Sequence, residues 1–285
     1  MERESLLVLL MLLLGGLALQ LFSAWPHRRV LLSSSRQQER RQWLALWAPV
    51  VPALCVAAWL CGWALSQPDP VPYRVDRFIF LFCTPFVAIG LRALSRAVWS
   101  LRCSPDDYAI ATVGVLKPRI VVAPDLERVL DPRAFAAAIA HERAHLRHRD
   151  PLRIWLAQFI TDLQWPWGSA HRRYTSWLAA LENARDDEAR AAGVDGADLA
   201  AAVLGSLRFQ MANSGPHATL TGESPALPAR IERLLQPLPQ TTAPRETPWL
   251  VVLGSLSLAL LLALDVGAAW GGRLIAPLVA IGSGL

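Results

Sequence analysis

The chain alternates between long apolar runs and stretches of ordinary polarity. Four runs reach the length of about 20 mostly apolar residues that a bilayer crossing requires. They are Ser5 to Trp25, Trp43 to Leu65, Phe78 to Trp99 and Trp249 to Trp270. Not one charge interrupts the first. Pro49 and Pro52 predict kinks in the second, Arg92 and Arg96 lie near the end of the third, and Asp265 sits near the end of the fourth. The long arginine stems are expected to snorkel to the interface. The first run is not read as a cleaved leader, because Met1-Glu2-Arg3-Glu4 lacks the positive n-region of one.

Between the third and fourth runs the pattern changes. Tyr108 to Ala123 predicts two short strands joined through Leu116-Lys117-Pro118, the second β-branched at Arg119-Ile120-Val121-Val122. Such a pair is either a hairpin covering a helix or an edge that holds an extended peptide as an added strand. A helix follows from Pro132 to about Arg149, with Asp131 as its N-cap and Pro132 in its first turn. Asp150-Pro151 repeats that start, so Asp150 reads as a cap. Leu152 to Trp165 is apolar nearly all round and predicts a buried helix, or one dipping into the bilayer surface with Trp155, Trp165 and Trp167. Leu178 to Ala192 predicts an acidic helix.

Composition agrees with a membrane protein. Of 285 residues, 53% are hydrophobic, which is high for a soluble domain. Positive charge sets the orientation. Arg28, Arg29, Arg36, Arg40 and Arg41 follow the first run, whereas the next loop balances Arg74 and Arg77 with Asp69 and Asp76. The positive-inside rule then puts the N-terminus outside and residues 101–248 in the cytoplasm. The net charge of +5 carries no alternation of basic and aromatic residues, so nucleic-acid binding is not expected. Cys55, Cys61, Cys83 and Cys103 show no C-x-x-C spacing and read as packing residues.

The chemistry lies at His141-Glu142-Arg143-Ala144-His145, an H-E-x-x-H pattern inside the alanine-rich helix. Residues four apart share one helix face, so two imidazoles can hold one Zn²⁺ while Glu142 serves as general base. His148 is a spare donor that reads better as a solvated residue near a helix C-terminus. The site needs a third protein ligand, and the acidic helix offers Glu182, Asp186, Asp187 and Glu188. Glu182 and Asp186 share a face, so one could bind metal while the other supports a histidine. Spacing does not choose among the four. No oxyanion partner follows from the pattern; His171 and Tyr174 lie between the two motifs and are the nearest candidates.

The run from Gly114 to Pro124, HERAHLRHRDPL (141–152), QWPW (164–167), LENARDDEARAAG (181–193) and Leu227 to Leu235 together resemble the BlaR/MecR-type membrane zinc peptidases, the antirepressor family. The resemblance spans nearly the whole chain. It implies a mainly α membrane protein of about four transmembrane helices, with a cytoplasmic α+β gluzincin-like zinc metallopeptidase domain inserted between spans three and four. The corresponding boundaries are 1–100, 101–247 and 248–285. It further implies Glu182 as third ligand beside His141 and His145, Asp186 as supporting acid, and a winged-helix repressor as substrate or partner. It places the chain in the bacterial cytoplasmic membrane. Arg185 stands where the family usually has cysteine. The chain ends at Leu285, so the extracellular penicillin-binding domain of the sensor members is expected to be missing. A quality-control protease of the HtpX/CAAX-processing type shares the short motifs, but the HLRHRDP continuation and the arrangement of spans favour the antirepressor family. A non-catalytic transducer would have no use for Glu142. A transporter would need charges facing one another inside the spans.

Overall fold

The computed structural model describes residues 3–25, 34–66, 77–101, 109–213 and 227–238. The expected fourth span, the tail beyond it and most of the segment from Asn213 to Leu227 lie outside these residues.

Three apolar helices form one layer: α1 (Arg3–Ser23), α3 (Val50–Ser66) and α4 (Arg77–Ser100). Leu6 and Leu10 of α1 pack on Leu60 and Trp63 of α3. Gly16 lets α4 approach α1, since a Cβ there would stand 2.6 Å from the Phe86 ring. The outer face of α4 exposes Phe78, Phe80, Leu81, Phe82, Val87, Leu91 and Leu94. A stripe of that size is at home against lipid rather than water. Helices α1 and α4 are each long and apolar enough to cross a membrane.

The second expected span has a different form. It is a bent pair, α2 (Ser35–Trp47) and α3, with 46° between them. Pro49 sits at the break, because proline has no N–H for the helix ladder. Pro52 is tolerated within the first turn of α3, where no ladder bond is needed. Trp43, Leu46 and Trp47 therefore do not lie with α3. They pack against Trp177 and Leu181 of the peripheral domain. Counted as one, the pair makes a third candidate span.

The domain beyond α4 begins with an antiparallel hairpin of β1 (Ile110–Val113) and β2 (Arg119–Val122), in register Ile110 to Val122 and Thr112 to Ile120. Gly114 turns the chain with φ +98°, and a side chain there would meet the Lys117 carbonyl. After the short α5 (Leu126–Val129), α6 (Pro132–His148) is capped by Asp131, whose carboxylate accepts from the Arg133 N–H at 3.0 Å. Arg149 is a single left-handed residue, φ 51°, between α6 and α7 (Asp150–Leu163). Helices α8 (Gly168–Ala191), α9 (Gly196–Asn213) and α10 (Leu227–Leu235) complete the domain. The alanines of α6 let neighbours close in: Ala134 and Ala138 join Leu126, Leu130 and Ala202 in one core, and Ala137 joins Leu199 and Leu234 in another.

This domain is fastened to the apolar helices. Trp155 of α7 donates to the Ala97 carbonyl at 3.0 Å, and Gln20 of α1 donates to the Leu163 carbonyl at 3.1 Å. Arg173 of α8 donates to the Ser23 and Trp25 carbonyls at 3.1 and 3.2 Å, closing the end of α1. Arg92 and Arg96, expected to snorkel, both pair with Asp162 of α7 at 3.5 and 3.0 Å. Helix α7 is therefore a strut between α4 and the domain, with Ala157 and Ile160 buried and Trp165 and Trp167 exposed just beyond its end.

Candidate active site

Helix α6 points His141 and His145 the same way, four residues apart and both buried. Their Nε2 atoms are 3.0 Å apart. Glu182 reaches them from α8, with Oε2 at 3.4 Å from His141 Nε2 and Oε1 at 3.6 Å from His145 Nε2. A tetrahedral zinc with bonds of about 2.1 Å requires ligand atoms roughly 3.4 Å apart. The three side chains match that spacing, and their donor types suit zinc. Among the described residues they are the one such group of histidine, cysteine and acidic side chains.

Each histidine is backed by a fully buried aspartate, and each aspartate by arginine. His141 Nδ1 lies 2.9 Å from Asp186 Oδ1, and Arg230 of α10 grips Asp186 through Nε at 2.8 Å and Nη2 at 2.9 Å. His145 Nδ1 lies 2.9 Å from Asp150 Oδ2. Arg185 donates to both oxygens of Asp150, through Nη2 at 2.9 Å and through Nε, and Arg153 adds a third donor at 3.0 Å. The Asp150 carboxylate at His145 Nδ1 holds the proton on that nitrogen and turns the Nε2 lone pair toward the centre, while Asp186 stands beside His141 Nδ1 as an ion-pair partner.

The electrostatics follow from the same contacts. Burial pushes the His141 pKa down, but Asp186 and Glu182 beside it outweigh this and bring it up to about 9. Burial would raise Glu182, yet Arg230 and the two histidines hold its carboxyl below the usual range. Asp150 is likewise held low against burial by Arg185 and His145.

Glu142 faces a cleft of about 870 Å³. Its Oε2 accepts from the Thr112 hydroxyl of β1 at 2.7 Å. One wall of the cleft is β1 and the turn after it; the other is Pro151, Ile154 and Trp155 of α7. The register sets what β1 shows to the cleft. Ala109 and Ala123 exchange a backbone bond, so Ala111 and Val113 also face β2. Ile110 and Thr112 must then turn their N–H and C=O groups to the opposite edge. Among the described residues that edge carries no further strand, so an extended peptide could add to it.

The structure separates the four acids of α8. Glu182 and Asp186 meet the histidines, Asp187 pairs with Arg233, and Glu188 pairs with Arg147 and His148, both at 2.8 Å. His148 thus points away from the centre. His171 is exposed and Tyr174 is packed near Trp177, so neither lines the cleft, and the expectation of an oxyanion partner there is not met. Burial and the nearby Asp162 charge push Tyr174 up to about 12. Asp150 also departs from its reading as a cap. It caps nothing; Arg149 occupies that position, and the Asp150 side chain turns inward to His145.

Arg230, Arg153 and Arg185 escaped the sequence reading. Arg185 had a detectable signal, since it shares the buried face of α8 with Trp177, Leu181 and Ala184. An arginine among such residues needs an anion.

No curated protein and no solved structure matches the chain. Residues 109–168 match the family described as BlaR1 peptidase M56. The matched stretch holds the hairpin, His141, Glu142, His145 and Asp150, and it ends before Glu182, Asp186 and Arg230. It supports the BlaR/MecR resemblance and indicates that this part of the chain is a peptidase of the metallopeptidase type, membrane-associated as the apolar helices imply.

Proposed function

We propose that the chain is an integral-membrane zinc metalloendopeptidase, held in the bacterial cytoplasmic membrane with its catalytic domain inside. Its cleavage of a cytoplasmic transcriptional repressor, or of itself, transmits a signal. The observation that carries the reading is the convergence of His141, His145 and Glu182 beside Glu142, in a cleft bordered by a strand edge. His141, His145 and Glu182 would hold Zn²⁺, with Asp186 and Asp150 orienting the two imidazoles. A zinc ion there supplies Lewis acidity, which acidifies a water and polarises a peptide carbonyl. The edge of β1 left unpaired among the described residues receives the substrate backbone. Glu142 takes the proton of the attacking water and returns it to the leaving amine. The arginines after the first span favour a cytoplasmic domain, and a winged-helix repressor as partner follows from the BlaR/MecR resemblance. In this reading residues 101–247 form the catalytic domain between spans three and four, 1–100 carry three spans with a basic cytoplasmic loop, and 248–285 carry the fourth span and a short tail. Helix α2 lies against α8 as a cytoplasmic adjunct.

The test compares wild type with Glu142→Gln in membranes, with a winged-helix repressor of the BlaR/MecR type co-expressed. Wild type should deplete the repressor or cut its own segment between residues 213 and 227, and the variant should do neither. Equal downstream response with no cleavage in either would mean signalling by conformation alone.

A further inference from the structure

Thr112 does more than occupy a place in β1. Its hydroxyl lies 2.7 Å from Glu142 Oε2 and 2.9 Å from the Glu142 carbonyl oxygen. A hydroxyl has one proton to donate. It can serve as a staple between strand and helix, or as a clamp on the carboxylate. The shorter distance and the charge on the acceptor both favour the carboxylate.

We propose that Thr112 is a positioning residue that fixes the carboxylate of Glu142 toward the cleft. The proposal rests on the reading of Glu142 as general base. Glutamate is otherwise a poorly fixed base, since its long side chain loses substantial rotamer freedom when held in one conformation. With Oε2 accepting from Thr112, Oε1 is left as the atom that takes the proton. Threonine suits the task, because its branched Cβ restricts the hydroxyl to few rotamers.

The placement has a second consequence. The same residue turns its backbone N–H and C=O to the edge of β1 that is unpaired among the described residues, as the register requires. A peptide adding to that edge bonds directly to Thr112. Substrate docking and alignment of the base therefore meet in one residue, and a peptide bound out of register would disturb both.

The experiment uses the full-length protein in detergent with fluorescein-labelled casein as probe. Thr112→Val keeps the shape and removes the proton, Thr112→Ser keeps the proton, and Glu142→Gln sets the baseline. Thr112→Val should lower kcat roughly 10- to 100-fold with little change in KM and undiminished bound zinc. Thr112→Ser should restore most of kcat. In the Glu142→Gln background Thr112→Val should have no further effect, because the group it aligns is gone. The proposal is overturned if Thr112→Val lowers thermal stability but leaves kcat intact, or if it reduces the residual rate of Glu142→Gln by the same factor. If Thr112→Val loses zinc or fails to fold, the Ser variant decides, and Ser at the level of Glu142→Gln contradicts the proposal. If Glu142→Gln itself keeps full activity, the reading of Glu142 as base falls, and the proposal with it.

Discussion

Replacing Asp150 by asparagine separates two readings of one residue. As a helix cap, Asp150 would tolerate the change, since asparagine caps as well as aspartate. The structure gives it another role. Its carboxylate is fully buried and accepts from Arg185, Arg153 and His145, with Arg185 itself only 3% exposed at the side chain. Asparagine keeps the shape, removes the charge, and turns an amide donor toward one of these donors. Breaking a buried pair by neutralising one partner costs about 3–5 kcal/mol, because the other charge stays desolvated. For a domain of this size about 1 kcal/mol moves the midpoint by roughly 2–4 °C, so Tm should fall by about 6–20 °C. His145 also loses its anionic partner at Nδ1, which should weaken zinc binding by about 10–100-fold. The assays are thermal unfolding of the detergent-purified protein and competition against a chromogenic chelator. Tm and zinc affinity both indistinguishable from wild type would refute the network and restore the cap.

Further expectations follow from other contacts. Arg230→Met strands the fully buried Asp186 and should destabilise the domain by about 3 kcal/mol, read by thermal unfolding. A Cβ at Gly196 would collide with the Leu234 carbonyl of α10, so Gly196→Ala should displace that helix and increase protease sensitivity near residue 227. Gly114→Ala adds a side chain at φ +98°, 2.6 Å from the Lys117 carbonyl oxygen, and should raise KM for casein by loosening the β1 edge. Prolonged chelation should abolish casein cleavage, and Zn²⁺ should restore it.

The legible parts of the molecule were those with local causes. H-E-x-x-H needs only a helix to align its donors, and Asp131-Pro132 and Asp150-Pro151 mark where α6 and α7 begin. The hairpin at Lys117-Pro118 and the acidic helix were likewise local. The kink in the second run was visible as Pro49, but not that Trp43, Leu46 and Trp47 would leave the membrane layer to pack on Trp177. That depends on where α8 lies. The same holds for the charges. The pairing of Arg92 and Arg96 with Asp162 was hidden because Asp162 is distant in sequence, and the anion that Arg185 meets lies on α7. Arg230 lies 44 residues beyond the aspartate it grips, and no periodicity connects them. Glu182 was separable from its acidic neighbours only through the family resemblance, and the structure now distinguishes it by position.

The central claim is that His141, His145 and Glu182 form one metal centre. Zinc content of purified protein, measured by mass spectrometry of the metal, tests it most directly. Wild type and Glu142→Gln should each carry about one zinc per chain. Glu182→Ala should lose it, while Glu188→Ala, which alters only the contacts with Arg147, Arg185 and His148, should keep it. Full zinc in Glu182→Ala, or its loss from Glu188→Ala, would contradict the account.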